Sequence, residues 1–271
     1  MSSEELIDNL LKGLIEDSTY HVNGIPHDLE ERRGLVRSLM NVRDARPIPP
    51  DLLRIQDEYL EERRKELGTV SVEDIPAIEE SLGSTGPFSD RISVWRGDIT
   101  LLGCDAIVNA ANCYMLGCFQ PCHACIDNCI HTYAGMQMRL ECDAFMRGRT
   151  PGYTQPTSIP LVTDAYHLPC RKVVHVVGPI IEDGLTEAHE RQLGDCYTNV
   201  LDACKANSLR TVAFCCISTG VFRFPNERAA EIAVSTVKEW LKKNPDSMDR
   251  VIFDVFLEKD ERLYKEILGD A

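Results

Sequence analysis

The highest density of potentially reactive side chains lies between Gly117 and Gly135, where four cysteines and two histidines fall within nineteen residues. Thiolate sulfur and imidazole nitrogen suit Zn²⁺, which takes four protein ligands in structural sites and three in catalytic ones. Spacing alone does not select the ligands, and a group of buried thiols without a metal is the alternative. The candidate ligands are Cys118, Cys122, His123, Cys125, Cys129 and His131.

Three further polar segments stand where predicted strands end. Val-Asn-Ala-Ala-Asn (108–112) ends a buried strand directly before the cysteines. The segment 218–222, Ser-Thr-Gly-Val-Phe, follows another strand. Such a loop can direct successive N–H groups at a phosphate, although its glycine also serves turn geometry alone. In Gly-Asp-Ile-Thr (97–100), Asp98 is suited to capping the local backbone. A metal beside such polar groups indicates a working site and not only a structural one.

Short apolar runs alternate with helical patterns from Ile92 onward. This alternation predicts an α/β fold, with three α/β/α layers around a mostly parallel central sheet. Ligands in such folds bind beyond the carboxyl ends of the strands, where the segment after Ala110, the cysteine run and the segment after Ile217 lie. The predicted strands cover residues 92–95, 106–110, 172–177, 211–217 and 251–256. The predicted helices cover residues 124–147, 190–207, 226–243 and 261–268.

The N-terminal third reads as helices. We expect residues 1–86 to form a helical extension packed on a main domain of residues 87–271. Ser3 is a candidate cap for the first helix, and Asp51 begins a long helix that Gly68 ends. The apolar face of the first helix carries Leu6, Ile7, Leu10, Leu11 and Leu14.

Composition narrows the function classes. The chain has 271 residues, a net charge of −14 and twelve cysteines. An acidic surface repels the phosphate backbone, so we expect no nucleic-acid partner. The sequence has no apolar run of membrane-spanning length and does not open as a signal peptide, so we expect no membrane partner and a cytoplasmic location. In that reducing compartment, clustered cysteines indicate a metal and not disulfides.

Five segments occur together in a fixed order over about residues 90–268. They are Gly-Asp-Ile-Thr (97–100), Ala-Ile-Val-Asn-Ala-Ala-Asn (106–112), Ile-Asp-Asn-x-Ile-His-x-x-Ala-Gly (126–135), Val-Val-His-Val-Val-Gly-Pro (173–179) and Ile-Ser-Thr-Gly-Val-Phe (217–222). The ordered set resembles the macrodomain family of ADP-ribose binders. Most members carry a Gly-rich stretch before Ile-Asp-Asn, which the cysteine run replaces here. This replacement resembles the zinc-containing macrodomains, which also have an N-terminal helical extension and are protein-ADP-ribose hydrolases.

The resemblance implies a role for each matching residue in the nucleotide site. It implies that Asp98 accepts a hydrogen bond from the adenine amino group, with the Ile99 backbone beside it. Asn112 would contact the distal ribose, and Ile126, Asp127 and Asn128 would also bind the substrate. The implied diphosphate loop consists of Ser218, Thr219, Gly220, Val221 and Phe222, with Phe222 also near the distal ribose.

The resemblance also selects metal ligands from the cysteine run. The family pattern Cys-Phe-x-Pro-x-His-x-Cys implies that Cys118, His123 and Cys125 bind Zn²⁺. Cys122 and Cys129 would then be bystanders. Three protein ligands leave a position open, as a catalytic zinc requires.

The implied reaction removes mono-ADP-ribose from a modified, acidic side chain of a target protein. We expect zinc either to bind a ribose hydroxyl or leaving-group oxygen as a Lewis acid, or to activate a water. Asp127 and Asn112 are the candidate catalytic residues, with Asp127 orienting water or the ribose or acting as general base. The alternative for Asp127 is a helix N-cap. The resemblance points loosely to a lipoyl-carrier protein as target, and we expect a monomer.

Two other functions remain open from the sequence. The first is an ADP-ribose reader with a structural zinc and no turnover. The second is an enzyme with a cysteine nucleophile paired with His123 or His131. This function is disfavoured, because a thiolate that binds zinc is poorly available as a nucleophile. His131, His167 and His175 are interpreted as packing residues with local hydrogen bonds.

Overall fold

The computed structural model describes residues 3–269, in which a group of N-terminal helices precedes an α/β unit. The strands are β1 (Val70–Ser71), β2 (Ile92–Arg96), β3 (Leu102–Gly103), β4 (Ala106–Ala111), β5 (Leu161–Asp164), β6 (Lys172–Val177), β7 (Thr211–Phe214) and β8 (Arg250–Val255). The helices are α1 (Ser3–Asp17), α2 (Leu29–Val42), α3 (Pro50–Leu67), α4 (Ile78–Leu82), α5 (Ile126–Ala134), α6 (Met136–Arg147), α7 (Glu187–Ala206), α8 (Asn226–Lys243) and α9 (Glu258–Gly269).

The main sheet has six strands in the order β2-β8-β7-β4-β6-β5, and every neighbouring pair is parallel except β5–β6. Successive residues of β6 and β8 are buried, so helices cover both faces of the sheet, which confirms the predicted α/β/α layers. The strand order reverses between β4 and β7, which pair only at Ala106↔Val212 and Ile107↔Ala213. The two strands therefore part toward their carboxyl ends, where open α/β sheets bind ligands.

Two hydrophobic cores lie on either side of the junction between the helices and the sheet. The first helices form their own core, in which Leu10, Leu11 and Leu60 are almost fully buried. Met136, the first residue of α6, packs into that same core. Val72 and Ile78, by contrast, join the core of the sheet. The domain boundary at residue 86 stays a prediction.

Local signals explain where α2 begins and where α3 ends. The Asp28 side chain accepts hydrogen bonds from the first N–H groups of α2, and Gly68 ends α3 with a φ of 81°. Ser3 does not cap α1. It is the first helical residue described, and its hydroxyl donates a hydrogen bond to Glu62 of α3.

Three differences between the predicted and observed elements stand out. The helix expected over residues 124–147 is two helices, because Gly135 has a φ of 98° and breaks it. Gln56 of α3 then accepts a hydrogen bond from the Met136 N–H at 2.7 Å, which satisfies the start of α6. The strand expected over 211–217 ends at Phe214, before Ser218 with its φ of 66°. The antiparallel edge strand β5 was not predicted. Within residues 3–269, no helix is both long and apolar enough to cross a membrane.

Candidate active site

The loop of residues 112–125, here called the cysteine loop, connects β4 to α5 beyond the carboxyl end of β4. Its Cys118, His123 and Cys125 bring their sulfur and nitrogen ligand atoms within 4.8 Å of one another. Cys122 is exposed and outside this group, and Cys129 instead accepts a hydrogen bond from Arg37 at 3.3 Å. The structure thus assembles the three residues that the family resemblance selected.

The dimensions of this cluster fit a tetrahedral zinc ion. With Zn–S near 2.3 Å and Zn–N near 2.0–2.1 Å, two ligands at a tetrahedral angle lie about 3.6 Å apart. Cys118 Sγ and His123 Nδ1 are 3.5 Å apart. Burial, together with the nearby Cys118 sulfur, raises the pKa of the Cys125 thiol to about 12. A divalent cation would reverse this preference, because it stabilises both thiolates.

Asp127 lies in the first turn of α5, two residues after Cys125, and is 5% exposed. Its Oδ1 accepts a hydrogen bond from Asn109 Nδ2 at 2.8 Å, and its Oδ2 accepts one from Asn112 Nδ2 at 3.1 Å. Burial raises the pKa of Asp127 to about 6, and these amides limit the rise. Cys125 is the N-cap of α5, so the carboxylate of Asp127 is directed at the asparagines instead of capping the helix.

A buried chain of hydrogen bonds extends from Asp127 across three strands. Asn109 Nδ2 also donates to His175 Nδ1 at 3.0 Å, and His175 Nε2 lies 2.9 Å from Thr163 Oγ1. Because an amide nitrogen only donates, His175 Nδ1 must accept, which puts the ring proton on Nε2. Asn109, His175 and Thr163 therefore orient Asp127. Sequence reasoning missed this chain, although Asn109 and His175 stand in two of the recognised motifs.

His131 lacks the local hydrogen bonds that were expected for it. It is buried, and within the described residues neither ring nitrogen has a hydrogen-bond partner. Its Nε2 lies 3.6 Å from Asp127 Oδ1. His131, Cys142 and His175 also bring ligand atoms within 4.8 Å of one another. Both nitrogens of His175 are already hydrogen bonded, so this second group suits a metal less than the cysteine loop does.

Asp98 follows β2 at the far side of the strand ends. Its Oδ1 accepts hydrogen bonds from the Thr100 N–H at 2.9 Å and the Thr100 hydroxyl at 2.6 Å. The carboxylate therefore caps a short turn, which is the local role expected from the sequence. Among residues 3–269, its Oδ2 accepts no hydrogen bond. Phe256 and Leu257 follow the neighbouring β8, and Phe256 is 80% exposed. The strand predicted over residues 251–256 ends instead at Val255, which leaves Phe256 outside the sheet.

The loop of residues 218–222 lies beyond the carboxyl end of β7. Ser218 is buried, and its Oγ has no partner within residues 3–269. A Cβ on Gly178, which follows β6, would lie 2.0 Å from that Oγ, so only glycine permits this approach. The Ile181 N–H donates to the Phe222 carbonyl at 2.9 Å, which ties the loop to the segment after β6. Val221 is 72% exposed at the rim.

Known proteins are similar to this chain in sequence and in architecture. The sequence profile of the family described as Macro domain matches residues 108–233. The chain is 48% identical to a protein-ADP-ribose hydrolase from Treponema medium, over 97% of both chains. It is 43% identical to a protein-ADP-ribose hydrolase from Staphylococcus aureus strain Mu50, over 90% of this chain and 88% of that one. Both relatives are named protein-ADP-ribose hydrolase, which is the enzyme class predicted from the sequence.

Solved structures agree with the fold. A Trypanosoma brucei macrodomain in complex with ADP-ribose matches with a TM-score of 0.66 and 28% identity, over 86% of this chain and 95% of that one. An Oceanobacillus iheyensis macrodomain with ADP matches with a TM-score of 0.62 and 32% identity, over 68% of this chain and 94% of that one. The resemblance to the macrodomain family is confirmed, and the chain belongs to the macro domain family, alongside the members named protein-ADP-ribose hydrolase.

Proposed function

We propose that the chain is a zinc-dependent protein-ADP-ribose hydrolase that removes mono-ADP-ribose from acidic side chains of a target protein. The observation that carries the proposal is the grouping of Cys118, His123 and Cys125 beside Asp127, next to the crevice between β4 and β7. Three ligands leave a zinc ion an open position, which a purely structural site does not need.

The nucleotide would extend along the carboxyl ends of the strands. Oδ2 of Asp98 would accept from the adenine amino group beside the Ile99 backbone, and the exposed Phe256 ring offers an apolar face for the base. The diphosphate would lie on the loop of residues 218–222. Within the described residues, the N–H groups of Gly220, Val221 and Phe222 donate to no protein acceptor, so they remain for phosphate oxygens.

The distal ribose would then lie against Asn112 and the start of α5, where Ile126, Asp127 and Asn128 stand. The Asn112 amide nitrogen donates to the Gly117 carbonyl and to Asp127, each at 3.1 Å. Its Oδ1 accepts from the Tyr114 N–H at 3.0 Å and keeps one lone pair for a ribose hydroxyl. This arrangement supports Asn112 as the residue that fixes the sugar beside Asp127.

The reaction breaks the bond between the anomeric carbon of the ribose and a side-chain oxygen of the target. Water supplies a hydroxyl to the anomeric carbon and a proton to the solution, and the target recovers its carboxylate. Positive charge develops on the sugar ring as the bond breaks. Asp127, ionised above about pH 6, orients the ribose or the attacking water and can accept its proton. A bound zinc ion would supply Lewis acidity at this end of the nucleotide.

The deciding experiment follows the release of label from a target protein that carries mono-ADP-ribose on acidic side chains. We expect Cys125→Ser to lose zinc and release together. Asp127→Ala should keep zinc and most ADP-ribose affinity while its turnover falls roughly 10²-fold or more. Cys122→Ser is the matched control, since this thiol lies outside the ligand group, and it should keep both zinc and turnover.

Three results would change the conclusion. Binding of ADP-ribose by the zinc-loaded protein without any release would make it a reader. Release that persists in zinc-free Cys125→Ser would reduce the metal to a structural role. Loss of zinc from Cys122→Ser would mean that the ligand set is wrong.

A further inference from the structure

Helix α2 of the N-terminal extension contacts the cysteine loop directly. The Arg37 guanidinium donates through Nη2 to the backbone carbonyl of His123 at 2.8 Å. It also donates to the Asn128 side-chain oxygen, through Nη2 at 2.8 Å and Nε at 3.2 Å. Arg37 therefore joins the loop to the first turn of α5 through a rigid, planar group.

Asn128 connects Arg37 to the other end of the cysteine loop. Its Nδ2 donates to the Gln120 carbonyl at 2.9 Å and to the Cys118 carbonyl at 3.2 Å. With Arg37 on its oxygen, the amide of Asn128 has partners on both sides, and its orientation is fixed. Through these bonds the backbone at Cys118 and at His123 is held in one arrangement.

Asn41, one helical turn after Arg37, holds the middle of the loop. Its Oδ1 accepts from the Cys122 N–H at 3.0 Å, at a residue whose φ is 52°. Its Nδ2 donates to Thr132 Oγ1 at 2.7 Å, and that hydroxyl donates to the Asn128 carbonyl at 2.7 Å. Asn41 is 1% exposed, so an amide that lost these partners would be left buried and unpaired.

The same helix has a separate apolar face. Val36, Leu39 and Met40 are buried in the core of the extension. Arg37 and Asn41, spaced four residues apart, stand on another face, as residues at this spacing do. Completing a core requires only the apolar face. The polar face adds contacts that serve the cysteine loop.

We propose that Arg37 and Asn41 are positioning residues for the metal site, and that the N-terminal extension is a structural part of that site. The inference rests on the proposed zinc ion. A loop whose ligands are already placed pays less ordering entropy when the metal binds, and partners behind metal ligands commonly contribute about 10–100-fold to metal affinity. Loss of Arg37 should release this loop without removing any ligand.

The test measures the dissociation constant for zinc by equilibrium competition with a chromophoric chelator, using the full chain. We expect Arg37→Ala and Asn41→Ala to raise that constant about 10–100-fold. Arg37→Lys should give an intermediate rise, because one ammonium can reach the His123 carbonyl but cannot also fork onto Asn128. Arg33→Ala is the matched control. It lies on the same helix, and its hydrogen bonds go to Glu30 and Glu66.

The urea midpoint of the zinc-free protein separates positioning from a general loss of stability. If Arg37 positions the metal site, Arg37→Ala should weaken zinc binding far more than Arg33→Ala does, and a difference between their urea midpoints should not account for this. Equal zinc affinity in wild type and Arg37→Ala would overturn the inference while leaving the proposed hydrolase intact. Wild type that binds no zinc would instead remove the proposed metal site. Should Arg37→Ala not fold, Arg37→Lys must show the weakened binding, or the inference fails.

Discussion

Acid should destabilise this protein through His175, which is fully buried between Asn109 and Thr163. Burial lowers the pKa of His175 to about 3. In the unfolded chain a histidine titrates near 6.5. Below that pH the unfolded state binds a proton that the folded state does not. The contribution of His175 to stability is therefore fully present above about pH 6.5 and decreases as the pH drops toward 3. Between pH 7 and pH 5 this linkage removes about 2 kcal/mol.

The measurement is the free energy of unfolding in urea at pH 7 and at pH 5, for wild type and for His175→Gln. The glutamine amide does not titrate, so we expect its loss between the two pH values to be about 2 kcal/mol smaller than that of wild type. Burial is the main cause that lowers the pKa of His131 and acts in both proteins, whereas the smaller effect of His175 on His131 is lost in His175→Gln.

Thr163→Val is the control for this experiment. It removes the hydroxyl next to His175 Nε2 but keeps the titrating ring. It should lower stability at both pH values and leave the difference between them unchanged. If wild type and His175→Gln lose the same free energy on acidification, the imidazole is not the buried, neutral acceptor described above.

Three further predictions concern the same region. Gly178→Ala places a Cβ 2.0 Å from Ser218 Oγ, and should lower the free energy of unfolding by about 1–3 kcal/mol, measured by urea titration. It should also weaken ADP-ribose binding, measured by calorimetry, and unchanged binding would argue against the proposed diphosphate loop. Asn109→Leu leaves Asp127 Oδ1 and His175 Nδ1 without their partner, and should cost roughly 2–6 kcal/mol and reduce turnover; full turnover would show that Asp127 needs no such support. The proposed zinc ion would bind only the folded chain, so a chelator should lower the melting temperature of wild type but not of Cys125→Ser. Equal shifts in the two proteins would mean that the metal binds elsewhere.

Much of the fold could be predicted from the sequence. Strands β4, β6 and β8 are continuous apolar runs, and α1 repeats its leucines on one face, so their periodicity identifies them. The edge strand β5 has four residues, only one of them buried, and its pairing with β6 depends on a distant segment. The break at Gly135 was missed because the helical pattern continues on both sides of it.

The candidate site was predictable only in part. Residue spacing left six possible ligands, and the choice of Cys118, His123 and Cys125 came from the family resemblance. The chain from Asp127 to Thr163 depends on register, since Asn109 lies directly opposite His175 on neighbouring strands. Such a pairing follows from how β4 and β6 align, which a single sequence does not reveal. Arg37 lies on α2, far from the cysteine loop in sequence, so no local sequence pattern indicates that it contacts this loop.

Gln56 has a consequence for how the molecule unfolds. This residue is fully buried in α3, yet its side chain completes the hydrogen bonding of the Met136 N–H, where α6 begins. Met136 in turn contributes to the apolar interior of the extension. Neither part can detach without leaving a polar group unsatisfied and an apolar surface wet. We therefore expect the extension and the macrodomain to melt as one cooperative unit, with a single calorimetric transition.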